Sequence, residues 1–261
     1  MAQQENRRGR ESIIAGKESA AYTVILFHGY TGSPGDFGDL PEILATSLNA
    51  RVVVPLLPGH GTFVEDLLPL DFNTFLRAAE NETARIAQTG HPFAIGGHSF
   101  GAYLAMLTTA QYKPSAFFTS VIPYRLLFPY SSFVGRSISR TKTLWTKHLP
   151  KDEQEARSGD FFYPQMPGKA LSLVYDGNRR IEEIVGSITC PALAIHALHD
   201  TLAHWQSAPL SLARIPHSRK ETLIIENGRH SIFASGDDKQ KVFSTISNFL
   251  ERSFASKSYD A

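Results

Sequence analysis

The chain has 261 residues, of which 42% are hydrophobic and 20% are charged. This composition suits one or two globular domains with a sizeable buried core, and it excludes wholesale disorder. Lys and Arg total 26 and Asp and Glu total 25, so the net charge of +1 predicts no nucleic-acid partner. The single cysteine, Cys190, excludes an internal disulfide, and we predict a cytoplasmic location.

Both ends of the chain are predicted to lie outside the fold. Residues 1–20 begin with a polar, Arg-containing stretch that no apolar segment follows, which indicates a flexible N-terminal arm rather than a secretory signal. Residues 254–261 are mostly small and polar and predict a loose C-terminal tail. No stretch approaches the ~18 apolar residues that a membrane-spanning helix needs, so no transmembrane segment is predicted.

Residues 21–122 alternate short apolar runs with amphipathic stretches. The apolar, β-branched runs predict buried strands at 22–27, 51–55, 92–96 and 115–121. Apolar residues that recur on one face predict helices at 34–49, 72–89 and 99–111. Strands that alternate with helices are typical of a mostly parallel sheet flanked by helices, so the predicted fold class is α/β.

The alternation stops after residue 122 and resumes at residue 187. Residues 123–186 are rich in aromatic, proline and basic residues, have no clean period, and are too long for an ordinary connection. They predict an inserted lid over the ligand end of the sheet. In residues 187–253, strands are predicted at 191–196 and 221–225, and helices near 206–214 and at 237–252. These residues form the second part of the core.

A short motif, Gly97-His-Ser99-Phe-Gly101, lies between a predicted strand and a predicted helix. A sharp strand-to-helix turn crowds the residues around the serine, so it needs glycine two positions before and after it. Such a turn lifts the Ser99 hydroxyl clear of the sheet. We therefore predict Ser99 as a nucleophile; the alternative is that Ser99 only caps the helix.

A serine nucleophile needs a base, and the base needs an orienting acid. On a sheet of this kind the order along the chain is Ser, acid, His. His230 follows the last predicted strand and is the predicted base. Asp200 follows the preceding strand and is the predicted acid. The alternatives are a structural turn role for Asp200, and Asp160 or Asp176 as the acid.

An acyl-transfer intermediate also needs two N–H donors where its oxyanion forms. One is predicted at Phe100, the residue after the nucleophile. The other is predicted at Tyr30, in the loop after the first strand, where Gly29 lets the backbone bend inward. The alternative is that this loop is a simple tight turn.

Taken together, these segments resemble the α/β-hydrolase family, and most closely its lid-bearing bacterial carboxylesterases and monoacylglycerol lipases. The matching segments are 26–34, 55–61, 96–101, 199–200 with 207–208, and 228–230. The resemblance implies Ser99, Asp200 and His230 as a catalytic triad, with Tyr30 and Phe100 as oxyanion donors. It implies hydrolysis of a carboxylic ester through an acyl-enzyme, with no metal and no other cofactor.

The resemblance further implies a small-molecule ester substrate, either an ester with a short- to medium-chain acyl group or a monoacylglycerol-like ester. The residues predicted to bind it are Gly29, His98, Trp205, Phe128 and Phe133. The chain departs from the family pattern at two points. The usual N-terminal antiparallel strands are short or absent, and His204-Trp205 stands where the family has a proline after the acid.

Other functions fit the same residues. A thioesterase, an amide hydrolase or a C–C bond hydrolase would use the same triad. A receptor that binds a ligand without turnover is an alternative of a different class. No oligomeric state is predicted.

Overall fold

The structure, a computed structural model, describes residues 7–127, 144–234 and 238–257. The strands within these ranges are β1 (Ile13–Ala15), β2 (Tyr22–Phe27), β3 (Ala50–Val54), β4 (Phe93–His98), β5 (Ala116–Ser120), β6 (Leu144–Thr146), β7 (Gln165–Pro167), β8 (Ala192–Ala197) and β9 (Lys220–Ile225). The helices are α1 (Leu40–Ser47), α2 (Phe72–Ala87), α3 (Phe100–Tyr112), α4 (Lys151–Ala156), α5 (Ala170–Ile184), α6 (Ser207–Leu212) and α7 (Lys239–Lys257).

Seven strands form one sheet in the order β1-β3-β2-β4-β5-β8-β9. Every neighbouring pair is parallel except β1 and β3, which are antiparallel. Strands β6 and β7 pair separately. Parallel pairing places the carboxyl ends of the central strands at one edge of the sheet, which is where a fold of this kind holds its ligands.

Side chains alternate between two apolar cores along the central strands. On β2, Ile25 and Phe27 enter one core, and Val24 and Leu26 enter the other. Helices α2, α3, α5 and α6 cover the first face of the sheet, and α1 and α7 cover the second. The predicted α/β class, a mostly parallel sheet flanked by helices, is confirmed.

One predicted helix is divided in the structure. The range 34–49 contains a 3₁₀ turn, Pro34–Phe37, followed by the separate helix α1. Gly38 lies between them with a φ of 53°. A positive φ is incompatible with a continuous right-handed helix, and glycine adopts it at little cost.

The second half of the predicted insertion is more regular than its sequence suggests. Helix α5 packs on α3, with Gly177 against the Tyr103 ring, where a Cβ would come within 2.7 Å. Glycine weakens the helical signal of a sequence. Here it is needed for close contact with Tyr103, whose hydroxyl donates to the Asn178 side chain at 3.0 Å. Residues 128–143, including Phe128 and Phe133, lie outside the described residues.

The predictions for the two ends are wrong in part. Within the range 1–20, Ile13–Ala15 is not flexible but pairs with Val52–Val54 at the sheet edge. Within the range 254–261, Phe254 is buried and its ring stacks on Tyr22 at 4.4 Å, because α7 continues to Lys257. Both segments are too short to show a period and are fixed by tertiary contact. No helix in the described ranges has the length and apolar character needed to cross a membrane.

Candidate active site

Four loops at the same edge of the sheet build the candidate site. They follow β2, β4, β8 and β9, and they carry Tyr30, Ser99, Asp200 and His230, respectively. The structure therefore brings together residues that the sequence predicted as an oxyanion donor, nucleophile, acid and base.

Ser99 lies at a sharp turn between β4 and α3, with φ of 53° and ψ of −118°. A non-glycine residue in such a conformation is strained by about 1–3 kcal/mol, which its surroundings must hold. A Cβ on Gly97 would lie 2.2 Å from the Gly101 carbonyl oxygen, and a Cβ on Gly101 would lie 1.9 Å from that of Phe27. The predicted crowding at both motif glycines is confirmed. The Ser99 hydroxyl makes no capping bond to α3 within the described residues, so its alternative role as a side-chain cap is wrong.

His230 joins the other two side chains by hydrogen bonds. Its Nε2 atom lies 2.9 Å from Ser99 Oγ, and its Nδ1 atom lies 2.8 Å from Asp200 Oδ2. The second carboxylate oxygen, Oδ1, accepts from the backbone N–H groups of Leu202 at 2.7 Å and Ala203 at 3.1 Å. These bonds fix the carboxylate, so that Nδ1–H of His230 has a defined acceptor and Nε2 is left to face the serine hydroxyl.

The electrostatics of the pair suit proton transfer at His230. Burial acts to lower the pKa of His230, but the charge and hydrogen bond of Asp200 outweigh it and raise the pKa above 6.5. Burial acts to raise the pKa of Asp200, but the charge and hydrogen bond of His230 hold it below 3.8. The carboxylate therefore stays ionised, and its charge would stabilise a protonated His230 ring.

The histidines at 28 and 60 have structural roles. The Leu57 N–H donates to His28 Nε2 at 3.0 Å, and the Thr31 N–H donates to His60 Nε2 at 3.1 Å. Burial lowers the pKa of His28, and burial together with the neighbouring His28 lowers that of His60 to about 3. Both rings are thus neutral acceptors that join the loops after β2 and β3.

The two predicted oxyanion donors lie on adjacent segments. The loop after β2 reaches Ser99, since a Cβ on Gly29 would lie 3.4 Å from Ser99 Cβ. Thr31 has a φ of 63°, and Gly32 N–H donates back to the Gly29 carbonyl at 3.1 Å, which closes a turn around Tyr30. The Tyr30 and Phe100 rings are 5.8 Å apart. The two residues therefore lie beside each other next to Ser99.

The residues predicted to bind substrate occupy different places. His98 is buried beneath the site, with its ring 5.5 Å from that of His230 and its Nδ1 atom 3.1 Å from Ser120 Oγ. Trp205 is half-buried beside the His204 ring. A cavity of about 410 Å³ lies between α5 and the segment after β5, and its lining includes His204 but none of the three hydrogen-bonded residues. No group of three or more His, Cys, Asp or Glu side chains in the described ranges could hold a metal ion.

Sequence reasoning missed a group of buried charges beside the site. Asp36 accepts from the Gly29 N–H at 3.0 Å and pairs with Arg157 at 2.5 Å. Lys147 donates to Thr31 Oγ1 at 3.1 Å, and burial lowers the pKa of Lys147 to about 7. The contributing residues are separated along the chain, two of them in the predicted insertion, and no local motif marks them.

Comparisons with known proteins identify the family of this chain. The chain belongs to the alpha/beta hydrolase family, whose model matches residues 24–256. A thermostable monoacylglycerol lipase from Bacillus sp. (strain H-257) is 23% identical over 223 residues, covering 85% of this chain and 87% of the relative. The protein is thus an α/β hydrolase with a lipase among its relatives.

Solved structures show the same fold. A structure from work on two metagenome-derived lipolytic enzymes, LipS and LipT, has a TM-score of 0.81 at 19% identity, covering 94% of this chain and 99% of the other. The monoacylglycerol lipase of Paleococcus ferrophilus has a TM-score of 0.75 at 17% identity, with 93% and 98% covered. A soluble variant of the Saccharomyces cerevisiae monoglyceride lipase has a TM-score of 0.74 at 16% identity, with 93% and 91% covered.

Proposed function

We propose that this protein hydrolyses carboxylic esters through an acyl-enzyme, with Ser99, His230 and Asp200 as its catalytic triad. One observation carries the proposal: His230 lies within hydrogen-bond distance of both other side chains, 2.9 Å from Ser99 Oγ and 2.8 Å from Asp200 Oδ2. This is the arrangement that activates a serine hydroxyl at neutral pH.

In the first half-reaction, Ser99 Oγ attacks the ester carbonyl and its proton moves to His230 Nε2. The N–H groups of Tyr30 and Phe100 stabilise the oxyanion of the tetrahedral intermediate. Collapse of the intermediate breaks the ester C–O bond, and the leaving alcohol takes the proton from His230. In the second half-reaction, His230 deprotonates a water molecule that attacks the acyl group, which releases the carboxylic acid and restores Ser99.

Monoacylglycerol-like or short- to medium-chain esters are the proposed substrates. The relationship to the Bacillus monoacylglycerol lipase, over 85% of this chain, supports this class. So does the range 123–186, which is proposed to act as a lid. Its described residues contact the loop after β2 through Lys147 and Arg157.

The test is a panel of p-nitrophenyl esters of increasing acyl length and a monoacylglycerol, assayed with the wild type and with Ser99→Ala. We expect Ser99→Ala to lower kcat by at least about 10³-fold, because no other group supplies the nucleophile. Ser187→Ala is the matched control, since the exposed Ser187 hydroxyl, within the described part of the chain, bonds locally to the Ile184 carbonyl at 2.8 Å. A fluorophosphonate should label the wild type and not Ser99→Ala.

Three outcomes contradict the proposal. Full ester turnover by Ser99→Ala would show that Ser99 is not the nucleophile. If the wild type turns over thioesters or amides but no ester, the proposed substrate class is wrong and the proposed triad stands. A wild type that turns over none of these and resists the fluorophosphonate would indicate a receptor.

A further inference from the structure

The short helix α4 places two buried charged side chains against the candidate site. Glu153 lies on α4, and Arg157 follows it by one turn; they are 2% and 8% exposed. Each side chain contacts a different loop of the site.

Arg157 contacts the loop after β2 through a carboxylate. Its Nη2 atom donates to Asp36 Oδ1 at 2.5 Å, and the other Asp36 oxygen accepts from the Gly29 N–H at 3.0 Å. Asp36 also fills the space beside Gly32, where a Cβ would come within 1.9 Å of its Oδ2 atom. Arg157 therefore orients Asp36, and Asp36 holds the backbone on both sides of Tyr30.

Glu153 contacts the loop after β9. The Ser231 hydroxyl donates to Glu153 Oε1 in a short hydrogen bond, and Arg157 Nη1 lies 3.4 Å from the same hydroxyl. Ser231 directly follows His230. Glu153 of α4 and Arg157 at its C-terminal end thus link the backbone that carries the proposed base to the backbone that carries a proposed oxyanion donor.

Stability alone explains this arrangement poorly. Burying an ion pair costs desolvation, and well-packed apolar side chains of similar volume commonly do as well or better. The Arg157 guanidinium is further enclosed by the Phe162 ring, 4.5 Å from its carbon to the ring centroid. An apolar pair would not form hydrogen bonds of fixed direction to both loops, as Glu153 and Arg157 do.

We propose that Glu153 and Arg157 are positioning residues that hold the Tyr30 loop and the His230 loop in their reactive alignment. They touch neither reacting atom, and they act through Asp36 and Ser231. The inference rests on the proposed function, since it concerns how well that same site is aligned. It makes the docking of α4 a condition for full turnover.

The first test is a kcat and KM measurement on Arg157→Met with the best p-nitrophenyl ester. We expect kcat to fall about 10- to 100-fold and KM to change less than about threefold, because misalignment of the oxyanion donor costs transition-state binding. Arg157→Lys should recover part of the loss. The double variant Arg157→Met/Asp36→Asn should have a kcat less than about twofold below that of Arg157→Met, since both substitutions break the same series of contacts.

The second readout is the acidic limb of kcat/KM. The groups that face His230 are Asp200, His196, His98, Glu153 and Arg157. Glu153 acts to raise the pKa of His230 and Arg157 acts to lower it. His230 must be neutral to act as a base, so Glu153→Gln should move the limb to lower pH and Arg157→Met should move it to higher pH. These shifts measure the charge that each side chain places near His230, whereas the split between kcat and KM and the rescue by Arg157→Lys measure alignment.

Arg179→Met and Glu183→Gln are the matched controls. They alter an exposed ion pair of 2.8 Å on α5, with the same four-residue spacing and within the same predicted insertion, so kcat should stay unchanged. An inactive wild type would refute the proposed function. An active wild type with unchanged kcat in folded Arg157→Met would overturn the positioning role. If Arg157→Met does not fold, kcat of Glu153→Gln decides, and an unchanged kcat in that folded variant overturns the inference.

Discussion

His98 and His230 show how one neighbour decides the protonation of a histidine. Their rings lie 5.5 Å apart, and burial acts to lower the pKa of both. Burial lowers the pKa of His98 to about 3, whereas the pKa of His230 is raised above 6.5. The two pKa values differ because the Asp200 carboxylate is hydrogen-bonded to His230 and not to His98.

This contrast predicts the pH dependence of the enzyme. Because His230 has a raised pKa and must be neutral to accept a proton, kcat/KM should rise with pH along a limb centred above 6.5. Asp200→Asn should lower kcat by about 10⁴-fold and move the limb to lower pH. Stopped assays across pH 5–9 at roughly constant ionic strength would measure both effects.

Asp176→Asn is the control for that change, because Asp176 is one of the two alternative acids, with Asp160, and lies on α5. It should leave both kcat and the limb unchanged. If Asp176→Asn is the damaging substitution, Asp200 is not the acid.

At the scale of single elements, the turn between β4 and α3 depends on backbone contact rather than on side-chain chemistry. Gly101→Ala would place a Cβ 1.9 Å from the Phe27 carbonyl oxygen, and backbone cannot give way cheaply. We expect this variant to be destabilised by about 1–3 kcal/mol. It should also lose most of its activity, because the added methyl group would push β2 and β4 apart next to Ser99. Urea unfolding and ester turnover would measure the two losses.

Gly186→Ala gives the comparison, since a Cβ there meets nothing within 4 Å. Its free energy of unfolding should stay within about 0.5 kcal/mol of the wild type. Equal losses in the two variants would mean that close approach is not the reason for glycine in the motif.

The sequence predicted these central elements well because each is decided locally. A buried parallel strand is a short apolar run, and the glycines around Ser99 mark their turn directly. Helix α5 was not predicted because Gly177 weakens the helical signal of its sequence. Glycine is needed there because the Tyr103 ring leaves no room for a Cβ. The Asp36–Arg157 pair was missed because its partners are 121 positions apart and neither lies in a motif.

For the whole molecule, the last turn of α7 packs against the start of β2. Phe254 is 3% exposed and stacks on Tyr22 at 4.4 Å, far from the site loops. Phe254→Ala should lower the free energy of unfolding by about 3 kcal/mol, while kcat of the folded protein stays unchanged. Phe63→Ala, at a side chain that is 66% exposed, should cost less than about 0.5 kcal/mol. A similar urea midpoint for both variants would refute the structural role of the last helical turn.

The long separation between Ser99 and His230, 131 positions, also bears on synthesis of the chain. A nascent polypeptide whose β4 and α3 have emerged from the ribosome contains Ser99 but does not yet contain His230. On the proposed mechanism, an unassisted hydroxyl is a weak nucleophile, so a growing chain would stay inert toward esters until β9 has joined the sheet and His230 has reached Ser99. Hydrolytic competence would then be acquired together with the finished fold, and not by any shorter intermediate of synthesis.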